Sequence, residues 1–179
     1  GSDMGLFGGL LGWEAHDERL PDSVNAIRKA GIDIRIDIVD IQASHPNTYQ
    51  ITLRNSRETR NVTAISTGGG MIEIVAIDGA AVSIAGDYHE TLVYTESARH
   101  VLEGIGKSIA CESALLCDGP SPFVEIKSRQ ALSDVEIDRL RELKGATTVR
   151  KLVPVLPILS RKELEVPFTT CEEMLAYNE

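Results

Sequence analysis

The run Thr67-Gly68-Gly69-Gly70 stands directly before an apolar stretch, and three consecutive glycines leave backbone N–H groups without side-chain cover. Successive amides of this kind can form a nest that holds an anion. The block lacks the spacing and the lysine of a phosphate loop, and the residues after it alternate like a strand instead of opening a helix. The other reading is a tight connection or bulge between strands, which glycine suits because it tolerates positive φ. Four side chains nearby carry donors that suit a carboxylate or phosphate in an otherwise acidic chain: His45, Asn47, Arg54 and Arg60. With the backbone of Gly68, Gly69 and Gly70 they make up a candidate site for a small anion or effector. His45-Pro46-Asn47 also reads as a plain turn ahead of a strand.

Other reactive residue types form no set. His16, His89 and His100 make no H-x-x-x-H pair and have no carboxylate at metal-ligand spacing. Cys111 and Cys117 are two thiols separated by five residues, fewer than an iron–sulfur centre needs. No G-x-S-x-G elbow is present. The expectation is that this stretch holds no catalytic residue, no metal and no cofactor of its own.

The elements around these residues follow from periodicity. Val24, Ile27 and Ala30 share a helical face over residues 22–30, with Pro21 near the first turn and Gly31 past the end. Ile32, Ile34, Ile36 and Ile38 then alternate with polar residues, which predicts a strand with one face buried. Residues 48–53 and 61–66 read as an antiparallel hairpin. Residues 71–77 and 80–84 flank Asp78-Gly79, a strong two-residue hairpin signal. Small residues at 85–87 mark a boundary. Beyond it the order is strand 90–94, helix 97–109, strands 113–117 and 122–127, helix 134–144 and strand 147–154. The last helix opens on a capping box, Ser133 with Glu136, and Gly145 ends it. This β-α-β-β-α-β order is that of ferredoxin-like folds.

Composition bounds the class. Of 179 residues, 42% are hydrophobic and 25% charged, which fits a globular chain rather than a disordered one. No apolar run approaches the roughly 20 residues of a membrane span. A net charge of −9 argues against nucleic acid or an anionic membrane as partner, since both need clustered Lys and Arg. The N-terminus shows no secretion signal, and three cysteines, an odd number, fit a reducing cytoplasm better than a disulfide framework.

Several segments together carry a family likeness. The runs His45-Pro46-Asn47-Thr48, Thr67-Gly68-Gly69-Gly70-Met71-Ile72-Glu73-Ile74 and Ile77-Asp78-Gly79 resemble the core of the beta chain of bacterial iron–sulfur L-serine dehydratases. Gly1-Ser2-Asp3, Gly8-Gly9-Leu10-Leu11-Gly12-Trp13-Glu14 and Asp17-Glu18-Arg19 resemble the family's opening segments. The resemblance covers residues 1 to about 85 and implies an allosteric substrate-binding module. A related module occurs in some D-3-phosphoglycerate dehydrogenases, the alternative family. Those would need a dinucleotide fingerprint upstream.

Both families follow the module with an ACT domain, a ferredoxin-like fold that binds amino acids. This chain has Thr95-Glu96-Ser97-Ala98-Arg99 where the family has an Arg-Pro-Gly-like turn. In serine dehydratases the chemistry belongs to a separate alpha region that holds a [4Fe–4S] cluster, and residues 168–175 resemble the opening of that region in fused enzymes.

The resulting expectation is an α+β chain with three parts. Residues 1–86 form a substrate-binding-like domain with a mixed or antiparallel sheet, and residues 87–157 an ACT-like domain. Residues 158–179 are a linker into an alpha region. Its partners are that catalytic region, an amino-acid or anionic effector, and a second copy paired through sheet edges at 113–117 or 147–155. A ligand-free dimerisation module is the other class of function.

Overall fold

The computed structural model describes residues 2–155. They fall into two units, residues 2–43 and residues 44–155. The expected linker and alpha-region opening at 158–179, with Cys171, lie outside the described residues.

The first unit holds α1 (Ser2–Leu10), a 3-10 turn (Leu20–Asp22) and α2 (Ser23–Lys29). The α1 helix carries Gly5, Gly8 and Gly9, each unfavourable in a helix interior, so its own propensity does not account for it. Gly8 instead lets the helix approach Leu20 and Trp13 closely, and the Trp13 N–H donates to the Gly8 carbonyl at 2.8 Å. The Arg19 guanidinium stacks 4.5 Å from the centre of the Trp13 ring and pairs with Asp17. The α2 helix forms where its apolar spacing predicts, burying Ile27. It ends at Gly31 (φ +73°), after which the Ile32 N–H returns to the Ile27 carbonyl.

The strand expected over 32–39 is absent: those residues join no ladder among the described residues, and Ile38 is fully exposed. Alternation shows which side of a strand would be apolar. It does not supply the neighbour whose N–H and C=O groups make a ladder.

The second unit is built from β1 (Thr48–Arg54), β2 (Thr59–Gly68), β3 (Met71–Ile77), β4 (Ala80–Ile84), β5 (His89–Thr95), α3 (Ala98–Ser108), β6 (Ser113–Cys117), β7 (Phe123–Ser128), α4 (Asp134–Glu142) and β8 (Ala146–Leu152). The first four strands form an antiparallel meander, β1-β2-β3-β4. At the β3–β4 turn both Asp78 (φ +50°) and Gly79 (φ +83°) take left-handed conformations, as a type I′ turn requires. The other four strands form a second antiparallel sheet ordered β6-β7-β5-β8. This is the split arrangement in which each helix crosses over between non-adjacent strands. The Ser133 side chain accepts from the Glu136 N–H, and the Glu136 carboxylate accepts from the Ser133 N–H, so the capping box is present at α4.

Period-two alternation gives the second sheet two buried faces. Val93, Val124 and Ile126 face α3 and α4 and pack with Val101, Ile105, Ile137 and Leu140. Leu92, Tyr94, Cys117 and Phe123 face the meander and pack with Ile77, Ala80 and Ile84. The two sheets therefore share a core, and the turn at 85–87, where a domain boundary was expected, is a connection inside this unit. No helix among the described residues is long and apolar enough to cross a membrane.

Candidate functional site

The candidate anion residues separate into two groups at opposite ends of the β1–β2 hairpin. Thr48 pairs with Ile65 and Arg54 with Thr59. Six strand steps lie between those pairs, about 20 Å. A single small anion cannot touch both ends.

At one end, Gly68, Gly69 and Gly70 turn β2 into β3 with φ of +93°, +61° and +80°. No atom lies within 4 Å of where a Cβ would sit on any of them, so backbone conformation and not packing calls for glycine here. His45 and Asn47 come to the same end. The Ser66 N–H donates to the Asn47 carbonyl at 3.0 Å, two residues from Gly68 and hence about 7 Å along the strand. His45 Nδ1 accepts from the Asn47 N–H at 3.2 Å. In a neutral ring that leaves the proton on Nε2, a donor.

At the other end Arg54 is exposed on the rim of the hairpin, while Arg60 is already engaged. Its Nη1 pairs with Asp78 Oδ2 and its Nη2 with Glu58 Oε2, both at 2.9 Å, and the guanidinium lies 4.5 Å from the centre of the Tyr94 ring. Glu58 also accepts from Arg150 Nη2 at 2.9 Å, and Tyr94 Oη donates to Asp78 Oδ2 at 2.7 Å. Burial pushes the Asp78 carboxyl upward, but the Asn61 amide, the Tyr94 hydroxyl and Arg60 outweigh it and hold the group below the ordinary aspartate value. This network stitches the meander to the second sheet. Beside it is an open groove of about 560 Å³ lined by Gln50, Thr52, Arg60, Asn61, Asp78 and Ser121. Arg60 therefore presents its charge to carboxylates of its own chain.

A charged cluster that the sequence reading missed lies deeper between the sheets. Glu90 is 1% exposed and Glu125 is 3% exposed. Lys127 Nζ sits 3.4 Å from Glu90 Oε1 and 4.0 Å from Glu125 Oε1. The signal was present: Glu90 alternates with Leu92 and Tyr94, and Glu125 with Phe123 and Lys127, so both carboxylates fall on inward positions of strands.

The β5–α3 turn, where the resembled family has an Arg-Pro-Gly-like turn, is closed. The Glu96 N–H donates to the Gly145 carbonyl at 3.0 Å, and the Ser97 N–H to Thr95 Oγ1 at 2.8 Å. A Cβ on Gly145 would stand 2.8 Å from Ser97 Cβ, so two loops touch where a ligand would enter.

The described residues do not fit an iron–sulfur cluster. Cys111 is exposed and Cys117 is buried among apolar side chains, whose burial, followed by Glu125, pushes its thiol up to about 11. A cluster takes thiolates converging from about four positions. Among the described residues no three His, Cys, Asp or Glu side chains are grouped to hold a metal.

Comparison with known proteins gives the family context. No family model matches the chain. It is 29% identical over 160 residues to a Bacillus subtilis (strain 168) protein named "Probable L-serine dehydratase, beta chain", a match covering 85% of this chain and 73% of that protein. It is 32% identical over 104 residues to the "L-serine dehydratase, beta chain" of Peptoniphilus asaccharolyticus, covering 57% of this chain and 47% of that one. By sequence, the chain is similar to these two L-serine dehydratase beta chains.

Proposed function

We propose that this chain is the regulatory and structural beta portion of an L-serine dehydratase, which deaminates L-serine to pyruvate and ammonia in the cytoplasm. The likeness to two beta chains carries the reading, since one match runs over 85% of the chain. In this division of labour a [4Fe–4S] cluster belongs to a separate alpha region or subunit. The thiols described here do not converge on one.

Within the chain, the effector site is the glycine-turn end of the meander: His45, Asn47 and the Gly68–Gly70 backbone. The second sheet serves assembly. Its edge strand β6 exposes Leu115 at 57% and Leu116 at 45%, which suits pairing with a second copy.

The test mixes purified chain with the alpha chain of the same enzyme and follows pyruvate release from L-serine. The chain alone releases none, and adding it to the alpha chain raises turnover or changes its dependence on serine concentration. Pyruvate release by the chain alone, or an alpha chain indifferent to it, rejects the reading.

A further inference from the structure

Two glutamates and one lysine meet at the seam between the sheets, and their charges do not cancel. Glu90 stands opposite Lys127 across the β5–β7 ladder, and Glu125 opposite Leu92, so all three side chains point at the meander. Among the described residues Lys127 is the single cation within reach, and it divides itself three ways. Its Nζ donates to the Ser83 carbonyl of β4 at 2.6 Å, lies 3.4 Å from Glu90 and reaches Glu125 only at 4.0 Å. Both Glu90 carboxylate oxygens and Glu125 Oε1 are buried without a hydrogen-bond partner among the described residues.

The remaining groups around the cluster do not supply the missing positive charge. Arg150 on β8 shares the inward face but pairs with Glu58. Glu73 on β3 accepts from the Ser83 hydroxyl. Asp87 in the β4–β5 turn adds negative charge, and Cys117 on β6 is a buried neutral thiol. A buried carboxylate left over after its neighbour has taken the ammonium escapes its desolvation cost by taking a proton.

We propose that Glu90 and Glu125 together hold one proton in the folded chain, and that releasing it as pH rises through neutrality loosens the seam at Lys127 and Ser83. The cluster is a proton-operated latch between the two sheets. Burial first, and then the charge of Glu125, pushes the Glu90 carboxyl up to about 7 against the pull of Lys127. Burial likewise raises Glu125. A carboxyl whose folded value is raised favours the fold most when protonated. That contribution is complete below the ordinary glutamate value of 4.5 and is lost as pH rises through about 7.

The decisive measurement is a side-chain carboxyl titration of the full chain by carbon NMR, paired with urea unfolding at pH 5 to 8.5. One glutamate is expected to titrate near neutrality. The folded-to-unfolded ratio should fall by up to about tenfold per pH unit between pH 5 and 7 and then level. Glu90→Gln, an uncharged isostere, should flatten that profile, and amide exchange across β4, corrected for its intrinsic pH dependence, should rise with pH only in the parent chain. All glutamates titrating below pH 5.5, or a parent profile flat from pH 5 to 8, overturns the proposal. The titration needs no variant, so a Glu90→Gln chain that fails to fold leaves the test intact.

Discussion

The Tyr94 hydroxyl donates to Asp78 Oδ2 at 2.7 Å, tying a central strand of one sheet to the β3–β4 turn of the other. The same carboxylate accepts from Arg60 and from the Asn61 N–H, so one side chain, 7% exposed, gathers three donors. Tyr94→Phe should lower stability by about 1 kcal/mol, the usual net value of one hydrogen bond, and Asp78→Asn by about 2 kcal/mol because donors lose a charged acceptor. Urea unfolding measures both. The Asp78 carboxyl is held low, so its contribution is full above the ordinary aspartate value and is lost as pH falls below it. The Asp78→Asn penalty should therefore shrink in acid, opposite in sign to the behaviour of Glu90.

His45 and Arg60 should respond differently to the same substitution. Arg60 serves Glu58, Asp78 and the Tyr94 ring, so Arg60→Ala should destabilise the chain and leave anion affinity at the glycine turn unchanged. His45→Ala should barely alter stability, because the half-buried ring makes one local bond, and should weaken anion binding at least several-fold. Calorimetry with phosphate and L-serine, run beside urea unfolding, separates the two effects. Equal loss of affinity in both variants would reject the division of the hairpin into two ends.

Gly145→Ala should be costly, because the residue past the end of α4 takes a left-handed conformation. Its φ is +90° and the new methyl would sit 2.8 Å from Ser97 Cβ, with backbone atoms of Ser97 at 3.3 Å and 3.4 Å. Strain and crowding together should destabilise by about 2 kcal/mol or more, visible as a lowered unfolding midpoint. A neutral substitution would mean that the β5–α3 turn can open, as an amino-acid site there would require.

Residues 48–152 were legible because their signals are local. Asp78-Gly79 specifies a turn wherever it occurs between strands, and Ser133 with Glu136 caps a helix without distant help. The N-terminal unit was less legible, and the sequence reading assigned no element to residues 2–10. The α1 helix holds three glycines and relies on Gly8 lying against Trp13 and Leu20, a tertiary contact that no propensity reports. Ile32 to Ile38 has a fine strand pattern and no partner.

How the candidate anion residues are arranged was not legible, for a related reason. Residue type and nearness in sequence suggested the candidate donors, but only strand register shows that Arg60 sits at the far end from Gly69 and is already paired. The Glu90 cluster needed the docking of β4 onto the second sheet, which alternation cannot give.

The strand orders also bear on how the chain reaches this state during synthesis. Every ladder of the meander joins strands adjacent in sequence, so it can close as soon as residue 84 is available. The central strand β5 must wait: Glu90 pairs with Lys127 and with Leu152, and β8 completes the sheet last. Longer loops close more slowly, so the second sheet sets the folding rate. Until Phe123 arrives, Ile77, Ala80 and Ile84 face water on an otherwise finished meander. The nascent chain thus passes through a stage with a preformed apolar surface, the one at which a chaperone would hold it and at which it is most exposed to self-association.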